Sequence, residues 1–362
     1  MPKITRISTT PYTVPLKAAL TWGGRHKLAQ LDHVLIRVEL SDGAVGIAEA
    51  TPRPSIYGET QASIKAIIEW QLAPMLAGRT VEDFEAIAAL SGQMAHIKNN
   101  NTAKGALDMA LHQALADSRG ENLGAYLGVS RERIQLSTIV STGSAEAVMA
   151  DVEAAYRAGL RVFKVKIGRD IECETETIRR LIETYPPAQF YVDANETLPN
   201  AEAADILDGL FELGVLYCEE ALPVHQLRNR RELRRNCKMP IIADDSAFTL
   251  ADLEREIEFD SFDILNIKTA RTGFSESRRM LDLVREAGKG VMIGSQASSL
   301  LGCTHAALFA ADERVNCASE CSFYLKTEAD LTLAPPIVDG YMELDAAGGA
   351  LSQMQAILGR LT

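Results

Sequence analysis

The sequence predicts a (β/α)₈ barrel, the modified TIM-barrel arrangement, preceded by a smaller α+β domain. Three observations carry this. From about residue 134 onward, short β-rich runs alternate with amphipathic segments. The distinctive residues near the ends of those runs, Lys166, Asp193, Glu219, Asp244, Lys268, Gly294 and Glu320, are spaced 27, 26, 25, 24, 26 and 26 apart. A strand–helix unit recurring eight times at that period suits a closed parallel barrel. The first 128 residues lack this rhythm.

Taken in order, "HVLIRVEL" (33–40) alternates as a half-buried strand, and Asp42-Gly43 turns it into a second strand, "AVGIAEA". Helical periodicity covers roughly 60–76, 80–95 and 102–118. Strands followed by helices make an α+β capping domain over 1–128. The barrel, 129–328, has its eight runs in "IQLSTIV", "RVFKVKI", "QFYVDA", "GVLYCEE", "MPIIADD", "FDILNIK", "GVMIG" and "VNCASEC". An open doubly wound sheet would normally carry a Gly-rich first turn, and neither GxGxxG nor GxxxxGK[ST] occurs. The last segment, 329–362, reads as a strand and turn leaving the barrel and returning to the N-terminal domain. The stretches 18–30 and 51–60 read as loops by their turn residues, placed to act as a lid.

Bulk properties exclude several classes. The 362 residues are 47% hydrophobic and 24% charged, ordinary for a globular protein. Net charge is −12, with no basic stretch that suggests nucleic-acid or membrane binding. No apolar run approaches a membrane span and the N-terminus lacks a signal-peptide core, so the expected location is cytoplasmic. The six cysteines follow no metal or disulfide framework and read as reduced structural thiols.

The chemistry lies at the strand ends, which in a barrel open into the active site. "RVFKVKIG" places Lys164 and Lys166 two apart, on one face of a core strand, where an unpartnered ammonium is costly. Asp193, Glu219 and Asp244 end the next three strands. Any one acid could be a salt bridge or a helix cap. Three at matching ends, without Cys or His, suit a hard divalent cation, Mg²⁺ first and Mn²⁺ second. Lys268 stands across the barrel axis. A neighbouring lysine and a cation would both disfavour charge on Lys166, so Lys164 tunes Lys166 and can touch an anionic substrate group. Two opposed lysines beside one metal favour removal of the proton next to a carboxylate, with the metal stabilising the enediolate.

These residues resemble a family. K-x-K (Lys164, Lys166), D-x-N (Asp193, Asn195), "CEE" (Glu219), "IIADDS" (Asp244) and "NIK" (Lys268) are similar to the enolase superfamily. Within its mandelate racemase/muconate lactonizing enzyme family, the muconate lactonizing subgroup is the nearest match, over nearly the whole chain. A Lys or His base with Mg²⁺ is a known pairing there. The resemblance implies Asp193, Glu219 and Asp244 as metal ligands, Lys166 and Lys268 as the acid/base pair, and a small-molecule carboxylate substrate. It also implies substrate selection by cap loops and a homo-oligomer, dimer or octamer. A mandelate-racemase-like His is missing from "IGSQASS", and the chain reads Asp244-Asp245-Ser246 where D-E-S is usual. Asp245, a methylene shorter, is expected to pair with Lys268.

Further substrate-contact candidates are Trp22, His26 and Tyr57 in the lid stretches, which also hold Arg25 and Arg53, and Asn195, Ser295, Gln296, Ser298, Glu320 and Phe323 on the barrel. His112 and His305 sit in apolar helical patterns and read as core residues. The implied activity is an isomerase, either a muconate-type cycloisomerase or a racemase or epimerase of an amino-acid derivative. "ASECSFY" lacks the D-x-D that dipeptide epimerases tend to place there. A dehydratase of a sugar acid or hydroxyproline-type carboxylate would use the same intermediate. A Schiff-base aldolase, or a barrel retained only for binding, are remoter readings.

Overall fold

The chain is described by a computed structural model covering the backbone of residues 1–22 and 26–360; the side chains of residues 21–27 lie outside the described residues. Three antiparallel strands open it: β1 (Ile4–Trp22), β2 (His26–Leu40) and β3 (Val45–Ala50). Gly43, at φ +92°, makes the tight turn between the last two. The stretch 18–30, read as a loop, instead extends the β1/β2 hairpin, with Leu20 opposite Leu28 beyond a register shift after Pro15. Only 23–25 fall outside the described backbone. Tyr12 pairs with His33 in the same ladder. The other lid stretch contains a single helical turn, Pro54–Tyr57.

Helix α1 (Asn101–Ser118) lies on β3. The approach is close: a Cβ on Gly46 would meet the Ala110 carbonyl oxygen at 1.9 Å. The opposite face of α1 carries Asp108, whose Oδ2 accepts from the backbone N–H of Phe274 (2.6 Å) and Ser275 (3.0 Å). Those residues lie in α2 (Thr269–Glu286), where Gly273 (φ +64°) breaks the helix and a second first turn needs a cap. His112, fully buried, sits between Tyr126 Oη (2.8 Å) and Ser275 Oγ (2.9 Å). It is a core residue, as its apolar surroundings predict, and burial pushes its pKa down to about 4.

Seven parallel strands follow: β4 (Ser137–Ile139), β5 (Val162–Lys166), β6 (Gln189–Asp193), β7 (Cys218–Glu219), β8 (Ile241–Ala243), β9 (Ile264–Ile267) and β10 (Gly290–Ile293). They neighbour one another in sequence order. The eighth run supplies the remaining position as an extended segment. Ser137 N–H donates to the Ser319 carbonyl (2.8 Å), and Glu320 N–H to that of Ile293 (2.8 Å), which joins the first strand to the last. Mostly apolar residues fill the interior below the mouth, Val162, Tyr191, Ile242 and Met292 among them, while Phe163 and Phe190, one residue out of phase, face away from it.

After the barrel, Ile337–Val338 and Tyr341–Glu343 form a small antiparallel sheet with Arg133–Gln135. A 15-residue helix, α3 (Leu344–Leu358), then runs back to β3. Gln355 Nε2 donates to the Val45 carbonyl (2.6 Å) and Gln113 Nε2 to Gln355 Oε1 (3.0 Å). The return was legible in the sequence, but the helix was not, since Gly348-Gly349 in its middle weakens the helical pattern.

Candidate active site

The parallel register turns the 26-residue spacing into one level ring. Lys166 stands opposite Asp193, and Asp193 opposite Glu219. Lys164 is 2% exposed, and its Nζ donates to Glu219 Oε1 (2.6 Å) and Glu320 Oε1 (2.8 Å), with Asp193 Oδ2 at 3.1 Å. Lys166 Nζ donates to Asp193 Oδ2 (2.5 Å) and Asn195 Oδ1 (2.8 Å). Across the mouth, Lys268 Nζ donates to Asp244 Oδ2 (2.5 Å).

The expected Lys268–Asp245 pair does not form. Asp245 Oδ1 accepts instead from Arg271 Nη1 (2.8 Å), while Arg271 Nη2 reaches the Asp244 carbonyl (2.9 Å). Arg271 follows Lys268 by three residues at the start of α2, so its longer fork arrives on the side of Asp244 that Lys268 leaves free. Sequence reasoning missed Arg271, although "NIKTAR" displays it. It also missed Asn266, whose Nδ2 donates to Glu219 Oε2 (3.1 Å), and Glu220, whose Oε1 takes Asp244 N–H (2.6 Å) and Ser246 Oγ–H (2.5 Å).

The electrostatics follow from burial and charge count. Burial alone would discharge Lys164 and Lys268, but the facing carboxylates outweigh it and raise both pKa values. Burial likewise opposes charge on Asp193, yet Lys164 and Lys166 bring its carboxyl down to about 2. Glu219 is pushed well above the usual carboxylate range, by burial first and then by its acidic neighbours Asp193, Glu320 and Asp244, against the pull of Lys164. Five acids (Asp193, Glu219, Asp244, Asp245, Glu320) face four cations (Lys164, Lys166, Lys268, Arg271) in these contacts. The ring is short of positive charge.

Among the described residues no three Asp, Glu, His or Cys side chains stand gathered as a finished metal shell. The lysine ammonium groups lie on the carboxylates instead. The donor set nonetheless fits a hard divalent cation: three buried acids on adjacent strands, oxygen donors only, with a local deficit of positive charge.

The ring opens into a cavity of about 560 Å³ between barrel and cap. Asn195, Ser295, Gln296, Phe323 and Tyr57 line it; Ser298 and Glu320 do not. Glu320 is engaged by Lys164, by Tyr191 Oη–H (2.9 Å) and by Ser295 N–H (2.8 Å). The Gln296 side chain is taken by the cap: Oε1 accepts from Thr51 Oγ1 (2.9 Å), and Nε2 donates to Tyr57 Oη. The Trp22 and His26 side chains lie outside the described residues.

Comparison with known proteins agrees with this fold. Residues 4–128 match the mandelate racemase/muconate lactonizing enzyme N-terminal domain, and 147–353 match the enolase C-terminal domain-like family. The L-Ala-D/L-Glu epimerase of Bacillus subtilis is 30% identical over 321 residues, 86% of each chain. The structure of a muconate lactonizing enzyme from Mycobacterium smegmatis complexed with muconolactone superposes at TM-score 0.88, with 34% identity over 94% of each chain. A dipeptide epimerase from Cytophaga hutchinsonii, complexed with Mg and D-Ala-L-Val, gives TM-score 0.85 at 27% identity, over 94% of this chain and 93% of that one. The chain belongs to the mandelate racemase/muconate lactonizing enzyme family of the enolase superfamily.

Proposed function

We propose that this family member is an isomerase that moves the proton on the carbon next to a carboxylate, using Lys166 and Lys268 as the acid/base pair. The observation that carries the reading is the placement of two cavity-lining lysines on β5 and just after β9, with the acid ring between them. Asp193, Glu219 and Asp244 would hold a divalent metal, Mg²⁺ or Mn²⁺. When bound, that metal supplies positive charge where the enediolate develops. With Asp193 and Asp244 holding that cation, Lys166 and Lys268 would no longer be tied to them, and both lysines already line the cavity. Asn195 keeps one hydrogen bond on Lys166 throughout, and Arg271 keeps Asp244 oriented. In racemisation one lysine, in its neutral form, takes the α-proton at Nζ and the other, as ammonium, returns a proton on the opposite side; in cycloisomerisation no α-proton is removed, and a lysine ammonium gives its proton to that carbon as the carboxylate oxygen closes the ring. Glu320 and Tyr191 anchor Lys164 beneath the pair.

Residues 1–128 with 329–362 act as the cap that excludes water. Its described lining residues are Leu20, Leu28, Arg53, Ser55, Ile56 and Tyr57, with no carboxylate. A free substrate ammonium would therefore find no counter-charge on that side. This favours cycloisomerisation of a muconate-type diacid, or racemisation of an N-acylated amino acid, over epimerisation of a free dipeptide. All six cysteines are unpaired thiols, which agrees with a reducing cytoplasm. Among the described residues no helix is long and apolar enough to cross a membrane.

The test is turnover of muconates, N-acyl amino acids, dipeptides and sugar acids with Mg²⁺ and with chelator, read by product mass. Metal-dependent conversion at unchanged mass supports the isomerase. Loss of one water would make it a dehydratase, and conversion insensitive to chelator with borohydride trapping would make it an aldolase.

A further inference from the structure

Residues 294–299 leave β10 at the mouth of the barrel and lead into the helix Leu300–Ala310. They are gripped from both domains. On the barrel side Gly294 lies against Asn266: a Cβ there would meet Asn266 Oδ1 at 2.0 Å, and Asn266 Nδ2 donates to Glu219. Ser295 N–H donates to Glu320 Oε2 (2.8 Å), and Glu320 Oε1 takes Lys164 Nζ (2.8 Å). This short segment thus touches the supports of two acids of the ring. On the cap side Thr51 and Tyr57 hold the Gln296 amide, and Glu49 takes Ser299 N–H (2.8 Å). Arg53 Nη2 donates to the carbonyls of Gln296 (2.6 Å) and Ala297 (3.1 Å).

The segment does not hold this shape unaided. Ala297 has φ +55°, a left-handed conformation that a residue with a Cβ seldom adopts. The other non-glycine residues at positive φ, among those described, are Asn, Asp or Glu; Ala297 has no polar side chain to make a local bond. Such a conformation persists only where the surroundings enforce it. From within the turn, Ser295 Oγ accepts Ala297 N–H (3.0 Å). From outside, Arg53 holds the carbonyls. It is 6% exposed and makes no ion pair among the described residues, and a third bond, Nη1 to the Pro52 carbonyl (2.5 Å), steadies its fork. A guanidinium buried without a carboxylate is costly, and the carbonyls offset that with charge-assisted bonds.

We infer that Arg53 is a positioning residue for the acid ring: its grip on the Gln296 and Ala297 carbonyls keeps residues 294–297 in the conformation that brings Ser295 N–H to Glu320, and so fixes Lys164 between Glu320 and Glu219. None of its hydrogen bonds goes to the ring; it acts through the backbone of the segment. Seating the cap and placing Lys164 become one event. This rests on the proposed reading of the ring as the metal and proton-transfer site.

The test is amide hydrogen exchange of the full chain, read by mass spectrometry on peptides spanning 294–299, together with Mn²⁺ affinity by paramagnetic resonance. In Arg53→Met, which keeps length and loses the donors, exchange in that segment should rise about 10- to 100-fold, as charge-assisted bonds are lost. Helix α1 should keep its protection. Mn²⁺ should bind about 3- to 10-fold more weakly, less than for a residue that orients a ligand directly. Adding Ala297→Gly should recover part of both losses, because glycine takes φ +55° without help. Arg53→Lys, which can hold one carbonyl at a time, should fall between, and it decides by the same two readouts should Arg53→Met fail to fold. Unchanged exchange in residues 294–299 overturns the inference. So does faster exchange with unchanged Mn²⁺ affinity, and so does a loss spread over the whole cap that Ala297→Gly leaves as it was. If the unmodified protein binds no Mn²⁺, the metal-site reading falls instead, and recovery of exchange by Ala297→Gly then decides the inference.

Discussion

The two walls of the cavity are built on opposite principles. On the barrel side, every ionised group of the acid ring and its lysines is held by a partner of opposite sign, at distances of 2.5–3.1 Å. On the cap side, the described wall is apolar apart from a serine, a tyrosine and one arginine without an acid. The first wall presents groups that exchange protons and hold charge, and those groups must be preorganised. The second presents shape, which is what choosing among substrates needs, and its one arginine is bonded to barrel carbonyls. Reaction and selection are thus divided by domain, with Arg53 as the link, and substitutions on the two sides have different signatures.

The largest effects belong to the barrel. Lys166→Ala and Lys268→Ala are each expected to lower kcat by about 10²- to 10⁴-fold, the range for loss of a positioned acid or base. Thermal unfolding should still show one cooperative transition. Full activity in either variant breaks the acid/base assignment. Asp244→Asn is expected to weaken Mn²⁺ binding by more than Arg271→Lys, for which a loss of about 10- to 100-fold is typical of a residue that orients a ligand. Titration of both variants with Mn²⁺ checks the order. Equal affinity in Asp244→Asn and the unmodified protein would remove Asp244 from the metal site.

How much of this was legible follows the same division. Strand-end residues at a regular period announce a barrel mouth, because parallel register converts sequence spacing into height. Lys164, Lys166, Asp193, Glu219, Asp244 and Lys268 could all be named for that reason. Partner choice was not legible. The shorter Asp245 turned to Arg271, since which cation reaches which oxygen depends on a methylene and on the first turn of a helix. On the cap, the lid stretches include the cavity-lining Arg53 and Tyr57, but 18–30 was read as loop. There the two strands pair with each other beyond a register shift, and single-strand patterning does not show this. Gln296, a substrate-contact candidate that lines the cavity, also ties barrel to cap through its amide, and that second role is set wholly by tertiary contacts.

Smaller effects probe how the two walls are joined. A Cβ on Gly302 would lie 2.3 Å from Glu49 Oε1 and 2.9 Å from its Cδ. Gly302→Ala should therefore disturb the Glu49–Ser299 contact and cost about 1–3 kcal/mol, with an unchanged denaturant m-value. No loss of stability would show that this contact yields freely. The smallest expected effect depends on pH. His112 joins cap helix α1 to α2, with a folded pKa near 4 against an ordinary 6.5. The neutral form is the one that stabilises. Its contribution is whole above about pH 6.5 and is lost progressively as pH falls toward 4. The stability difference between the native protein and His112→Gln should narrow across that interval in urea titrations. A constant difference would mean that His112 does not titrate between the two states.

The most direct measurement is deuterium incorporation from D₂O, by NMR, at the carbon next to the carboxylate of any compound that responds. It should be run with Mg²⁺ and with chelator, in the unmodified protein and in Lys166→Ala and Lys268→Ala. The account predicts label at that carbon only when the metal is present, with each variant losing exchange on one side. Conversion without solvent label, or exchange that persists when both lysines are gone, would contradict it.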